Sequence, residues 1–477
     1  MLTRLLAAAL FCVLATPGQV AALQTDQPAA EKTKKPKASK PKDQAKEPAK
    51  SKKPKKAKSD VPAPDEPVDP DAVEAPGGRG WRSSWKQHPS IRYGSVFRLD
   101  AQAKFQEDAR ASYDGAPQLP PWELHRNRIG ISGHLFKKIE YEVERELTEK
   151  DVLLGLTPSS HWKDVNVNLT YVKNAQIQIG KFKVPFGLDQ LTGVTRNDFV
   201  YRSLGANYLA PARDIGGMVH GRFFKHGLNY WAGVFAHDGD NARSKKIQGG
   251  DETFAARVTG TPFRPMTALS IGAIEIGSAF TISKLTDDSF RPNGLRGRTI
   301  MTQDYFAEPV YVKGHRRRWE ADADWTQGPF GARAEYTWVS DDRTGQGLGD
   351  ENLPDARARS WYVAGSWVLT GEPKKRPLKP ENDFLQSGFG AIELVARIER
   401  LWYDSVGPGG LAFRNPRTET ILPTGDRAFT IGANWTLNRF AKLQVNLIRE
   451  HLEDTDRNPV PNGGPIWSRI LRLQFVL

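Results

Sequence analysis

The sequence predicts an all-β fold, a transmembrane antiparallel β-barrel of about 16 strands with a long constriction loop folded into its lumen. Three observations carry this. Beyond residue 90, segment after segment alternates apolar and polar side chains, which is the period of a strand and not of a helix. The links between these segments are tight and long by turns, as at the two rims of an outer-membrane barrel. One long link, 183–215, is both basic and dense in apolar side chains.

Before the barrel come two segments of other kinds. Residues 1–22 read as a secretory signal peptide, with Arg4 as the positive start, Leu5 to Ala15 as the apolar run, and Val20 and Ala22 at the cleavage site. The run is far shorter than the ~20 residues of a spanning helix. The single cysteine, Cys12, lies in it, so the exported chain would have no disulfide. Residues 23–85 read as a disordered tether, first rich in Lys, Pro and Ala, then acidic and Pro-rich, with too few large apolar residues to order itself. Residues 86–477 are assigned to the barrel. The formal net charge is +13, and residues 23–76, with 13 Lys against 10 acids, account for little of it. The barrel itself is therefore basic, which points to anionic partners.

The alternation is explicit in each strand. "SVFRLDAQAKF" sets Phe97, Leu99, Ala101, Ala103 and Phe105 against Arg98, Asp100, Gln102 and Lys104. "NRIGISGHL", "IEYEVEREL", "DVNVNLTY", "RWEADADWT" and "FGARAEYTW" repeat the pattern. In a soluble sandwich the apolar faces would meet in a core; in a membrane barrel they face lipid and the charged faces line a wet lumen. Strand length, near the ~9–11 residues of a tilted span, favours the barrel. So do aromatics placed for interfacial girdles, Trp319 with Trp325 and Trp361 with Trp367. Tight links at 136–138, 173–174, 225–227, 327–329 and 438–440 take turns with long ones at 148–161, 183–215, 238–252, 281–312, 340–356, 401–426 and 451–465. The chain ends within "IWSRILRLQFVL", which can close against the first long strand and leave no edge.

The loop opens as "GKFKVPFGLDQLTGVTRNDFVYRSLGANYLAPARDIGG". Loops of this length are uncommon unless functional or disordered, and its Phe186, Leu188, Phe199, Tyr201 and Tyr208 argue for packing against an interior wall. An anion leaves water only where donors and positive charge replace its shell, as rings of Arg and Lys do in anion pores. The candidate anion-binding or constriction residues are Lys181, Lys183, Arg196, Arg202 and Arg213. By the alternation, Arg98, Arg126, Arg128, Arg222, Arg333, Arg397 and Arg472 line the lumen wall, with Lys104 in the same phase. Asp100, Glu140, Glu142, Glu144, Glu335 and Glu393 share that phase, so a wall arginine can equally be paired and only stiffen the barrel. The loop arginines have few acids in the loop itself. "GHRRRW" (314–319) is the densest arginine run, expected at the outer rim, either steering anions or meeting lipopolysaccharide phosphates.

"WKDVNVNLTYVKNAQIQIGKFKVPFGLDQLTGVTRNDFVYRSLGANYLAPARDIGGMVHG" (162–221) resembles the phosphate-selective porins, the porin O and P family of bacterial outer membranes. "GKFKVPFGLDQLT", "RSL" and "LAPARDIG" are its most specific parts, and "SWYVAGSWVLTGE", "GAIELVAR", "IGANWTLN" and "LRLQF" resemble its later strands. The resemblance spans roughly 90–477. It implies a sixteen-stranded outer-membrane ion channel, a homotrimer, passing small inorganic anions, with phosphate or polyphosphate preferred in some members. It also implies that the basic loop folds inward and narrows the pore. The chain departs from the family in its Lys/Pro/Ala tract, where members often carry a helical segment, and in ending at Leu477, where barrels usually end in Phe.

Partners expected are small anions, outer-membrane lipid and lipopolysaccharide, with no nucleic acid. A general diffusion porin without a binding site is the alternative, and a secreted β-sandwich binding an anionic polymer a more distant one. No enzyme is expected: no nucleophile elbow or zincin helix appears. No cofactor and no metal is expected either, since "GQGLGD" (345–350) precedes no helix pattern, 341–355 lacks calcium-loop spacing, and the nine His have no ligand spacing.

Overall fold

The computed structural model describes residues 80–85, 88–112, 120–148, 161–224, 227–239, 252–264, 273–285, 297–301, 304–306, 311–347, 349–386, 388–405 and 421–477. The predicted signal peptide and nearly all of the predicted tether lie outside the described residues.

The strands are β1 (Trp81–Ser84), β2 (Ser90–Tyr93), β3 (Phe97–Ser112), β4 (Trp122–Leu135), β5 (Ile139–Glu146), β6 (Trp162–Leu169), β7 (Gln176–Lys183) and β8 (Arg213–Phe223). They continue with β9 (Leu228–Phe235), β10 (Thr253–Gly260), β11 (Glu275–Leu285), β12 (Gly297–Arg298), β13 (Asp304–Phe306) and β14 (Gly314–Gln327). The last six are β15 (Phe330–Arg343), β16 (Leu353–Val368), β17 (Ala391–Ser405), β18 (Ile421–Thr436), β19 (Ala441–Leu452) and β20 (Ile466–Val476). From β3 to β11 each strand pairs antiparallel with the next, β11 pairs β14, and the series runs on to β20. β20 then pairs β3, with Ser468 opposite Ser112 and Phe475 opposite Phe105. The result is a closed barrel of sixteen strands, in which no edge is left open.

Two short strands adjoin the closure. β1 pairs β2, and β2 pairs the start of β3. β1 lies within the stretch assigned by composition to the tether; what orders it is aromatic, since the Trp81 ring sits 5.2 Å from that of Tyr93 and 5.8 Å from that of Phe97.

The faces divide as the alternation requires. Ile129, Ile131, Val165, Val167, Ile177, Ile179, Val363, Ile398, Phe429 and Ile431 are exposed on the outside, where lipid is the solvent. Asp100, Gln106, Asp108, Arg128, Glu144, Arg397, Asn446 and Arg472 are buried on the inside. The short-turn rim carries stacked aromatics, Phe330 with Trp367 and Phe389 with Trp435. Trp319 and Trp361, expected at strand ends, fall mid-strand. Strands β14 to β18 have 14 to 16 residues, longer than a span needs, so β15 to β18 take up much of the links expected at 340–356 and 401–426. One link at the short-turn rim is long: residues 369–390, between β16 and β17.

Inside the barrel the chain from β7 to β8 is folded against the wall. Val200, Tyr201, Leu204 and Leu209 form one buried cluster with Ile300 and Met301, and with Val339, Ala358, Leu401, Tyr403, Ala428, Ile448 and Ile470 of β15 to β20. A second cluster joins Phe199 to Tyr362, Ala364 and Val395. Each large apolar side chain removed from water contributes about 1.5–3 kcal/mol. That answers why a lumen segment carries so many.

Candidate functional site

The loop is not structureless. Gly187, at φ 81°, caps helix α1 (Leu188–Leu191), and Ser203 caps helix α2 (Leu204–Tyr208) by accepting from the Ala206 N–H at 3.3 Å. Both helices are too short to show a 3.6-residue period, which is why the sequence shows none. A Cβ on Gly205 would lie 2.7 Å from Ser360 Oγ, so glycine there lets α2 sit on β16.

Wall side chains catch the loop's backbone groups. The N–H of Asp189 donates to Glu335 (2.9 Å), that of Val200 to Asn446 (2.8 Å) and that of Leu204 to Glu399 (2.6 Å). Arg472 donates to the Val200 carbonyl (2.7 Å) and Arg397 to that of Tyr201 (3.1 Å). Buried backbone groups must find partners, and here polar wall residues supply them.

The candidate cations of the loop are largely engaged in holding it. Lys183 donates to the carbonyls of Leu191 (2.6 Å) and Thr192 (3.3 Å). Arg202 donates to the carbonyls of Asp189 (2.8 Å) and Thr192. Arg213, the first residue of β8, is bidentate to Asp164 of β6, with its shortest contact at 2.6 Å. Few acids lie in the loop, but the wall provides one. Lys181 lies buried within β7 opposite Val165 and Ile215, a strand residue and not part of the loop. Arg196 is half-buried at the turn after Gly193.

Every wall arginine has the phase expected of it, and most are paired. Arg98 meets Asp100 at 2.6 Å. Arg128 bridges Glu144 and Glu146, and Lys104 also meets Glu144. Arg333 holds Asp324 (2.8 Å) and reaches Thr192 Oγ1 of the loop (3.1 Å). Arg397 holds Glu399 and lies over the Phe199 ring. Arg472 is bidentate to Asp108 at 2.6 and 2.7 Å. Arg222 is half-buried on β8. In the 314–319 run, Arg316 and Arg318 are fully buried and grip Asp238 at 2.6 Å each. At the long-loop end of the barrel they are a buried latch between β14 and the chain after β9. Arg317 faces out and pairs with Asp342.

Arg126 differs. Its Nη1 donates to the neutral Gln106 Oε1 at 2.6 Å, and it has no carboxylate partner among the described residues. Arg128 of its own strand, Arg472 of β20 and Arg202 of the loop lie close enough to repel it, and the Glu146 carboxylate that Arg128 holds lies near enough to attract it. Four guanidinium groups from three parts of the chain thus converge where the loop faces β4.

Three groups went unread in the sequence. Lys374 and Arg376 come from the long link 369–390; Lys374 meets Asp198 at 2.6 Å and also Glu393, and Arg376 meets Asp198 at 3.0 Å and Asp324 at 3.1 Å. Burial alone would push the Asp198 carboxyl up, but Arg376 and Lys374 outweigh it and hold it well below the usual carboxylate range. The signal was the "EPKKRPLKP" run, four cations in nine residues between two strand patterns. Lys442 donates to the carbonyls of Thr195 (3.4 Å) and Asn197 (3.0 Å). Asp108, Glu123 and His125 have ligand atoms within 4.8 Å of one another, but Asp108 is held by Arg472 and Glu123 by Arg110, which suits a charge network better than a cation.

Residues 98–476 match the family described as phosphate-selective porin O and P. A curated relative, Porin O of Pseudomonas aeruginosa, is 22% identical over 387 residues, covering 74% of this chain and 81% of that protein. Among solved structures, the OmpT loop L8 deletion mutant, an outer membrane protein of Vibrio cholerae, aligns with a TM-score of 0.52 at 10% identity over 80% of this chain and 100% of its own. An anion-selective porin from Comamonas acidovorans aligns with a TM-score of 0.50 at 12% identity over 80% and 99%. At such identities the structures speak for the fold alone, the sixteen-stranded barrel. The family match spans that whole barrel, and the chain belongs to the phosphate-selective porin O and P family of the bacterial outer membrane.

Proposed function

We propose that this porin passes small inorganic anions through the space between the inward loop and the β4 wall, and that Arg126 is the centre of its anion site. The observation that carries this is the pairing pattern. Most lumen arginines have carboxylates bonded to them; among the described residues Arg126 is bonded to the amide of Gln106 and to no carboxylate, and three further guanidinium groups lie near it, with Glu146 the nearby acid. Like charges held together in a confined site repel, by about 4 kcal/mol at 4 Å for an effective dielectric of 20. An anion among them offsets that repulsion. Arginine presents a planar fork suited to phosphate oxygens, so phosphate is the preferred anion in this reading. The site is one step in a path and must be weak enough to release its ion. The loop's other cations act by shaping the gap. The assembly is taken as a homotrimer on the family resemblance, with residues 1–22 directing export.

The test is block. In a planar bilayer, millimolar phosphate should reduce the chloride current of the parent channel. A second reading, a general diffusion porin, is favoured by the extensive pairing of the other arginines, and it expects chloride current that phosphate does not reduce.

A further inference from the structure

The outer face of the barrel is not apolar all round. On β8, β9 and β10 the outward phase is Ile215, Val219, Phe223, Val234, Phe254 and Val258, with no charged side chain between them. On five consecutive strands, β16 to β20, the outward phase near the long-loop rim is basic: Arg357 and Arg359, Arg400, Arg427, Arg449 and Arg469. The register makes these neighbours. Arg400 lies opposite Arg427, Arg427 opposite His451, and Arg449 opposite Trp467. Along the same outward phase follow Val363, Ile398, Phe429, Ile431 and Leu447 of the lipid-facing band, with Phe429 directly opposite Arg449.

Two acids share this face with the arginines as partners. Asp404 takes Arg359 at 2.6 Å, and Glu453 takes both Arg400 and Arg427 at 2.8 Å. Arg357 and Arg449 make no ion pair among the described residues, and the Arg427 side chain is 61% exposed. Arg400 lies over the Trp402 ring at 4.7 Å and Arg449 over Trp467 at 5.9 Å. Amphipathic rings of this kind sit at headgroup level in membrane proteins, and charge on a barrel's lipid face is tolerated there and not at the midplane.

We infer that this strip binds the phosphorylated headgroups of the outer-leaflet glycolipid, lipid A phosphates settling along it at Arg357, Arg427 and Arg449. Charge complementarity and height argue for that occupant: acyl chains on the apolar band place the phosphates at the arginines. Basic side chains at a membrane surface add to the binding of anionic lipid roughly one by one. The strip lies outside the lumen, so this inference does not depend on the anion site.

The test uses the full-length purified channel, and native mass spectrometry counts bound lipid as bisphosphorylated lipid A is titrated in. The parent should retain lipid A, and Arg357→Gln/Arg427→Gln/Arg449→Gln should bind it at least about tenfold more weakly. Conductance of that variant should match the parent, which shows that it is folded. Parent binding that is equal for dephosphorylated lipid A, or unchanged in the variant, overturns the inference. So does competition by inorganic phosphate at the lipid's own concentration. Cross-linking of two copies through cysteines introduced at 357 and 427 would assign the strip to a neighbouring subunit instead.

Discussion

Arg126 and Gln106 meet across β4 and β3 through a single 2.6 Å hydrogen bond, and that bond is to a neutral group. Gln106 is itself held by Gln474 at 2.6 Å, so the amide is a fixed rest for the guanidinium. Gln106→Leu should leave Arg126 charged but unaimed. The expected result is weaker phosphate block with the ratio of anion to cation permeability nearly kept. Single-channel recording with added phosphate separates the two.

Arg213 and Asp164 set the opposite case, a cation whose charge is spent on structure. Arg213→Ala strands a buried carboxylate, and breaking such a pair costs about 3–5 kcal/mol. Because the pair fixes the end of the loop, the cost should appear as a looser loop. The expected outcome is noisier and larger single-channel conductance with lower thermal stability. A variant whose conductance and melting match the parent would show that the loop is held elsewhere.

Asp198 is bound by two cations from the link 369–390. Lys374→Met with Arg376→Met should leave that carboxylate unpaired in the lumen, adding effective negative charge at the constriction. Anion preference should fall in a salt gradient, and Asp198→Asn added to the pair should restore it. Failure of Asp198→Asn to restore it would place the effect elsewhere.

The latch of Asp238 with Arg316 and Arg318 gives a pH dependence. Burial alone would raise this carboxyl, but Arg318 and Arg316 hold it down to about 2, against about 3.9 for an unfolded aspartate. A depressed pKa contributes stability that is complete above the unfolded value and lost as pH falls through the folded one. Melting temperature should therefore change little through this group from neutral pH to about 5 and fall between about 4 and 2. Asp238→Asn should lower stability at neutral pH and flatten that acid slope.

The barrel was legible because lipid and lumen impose a period of two on every strand, so Phe97 to Phe105 and Trp319 to Trp325 declare their faces without help. The lumen phase of Arg98, Arg126, Arg128, Arg333, Arg397 and Arg472 followed from the same rule. Partner choice did not. Asp164 meets Arg213 from 49 residues away and Asp108 meets Arg472 from 364, distances at which alternation gives a face and no register. The short helices of the loop exist through wall contacts, with Glu335 for the first and Glu399 and Ser360 for the second, not through propensity. Lys374 and Arg376 escaped notice because the link 369–390 has no period that gives its side chains a face.

The central claim is that Arg126 makes the lumen prefer anions. Reversal potential in a planar bilayer across a potassium chloride gradient measures this directly, for the parent and for Arg126→Gln. The account predicts a clear anion-side potential in the parent, shifted well toward zero in the variant, with phosphate block lost. A parent that selects cations, or a variant that selects and blocks as the parent does, would contradict it.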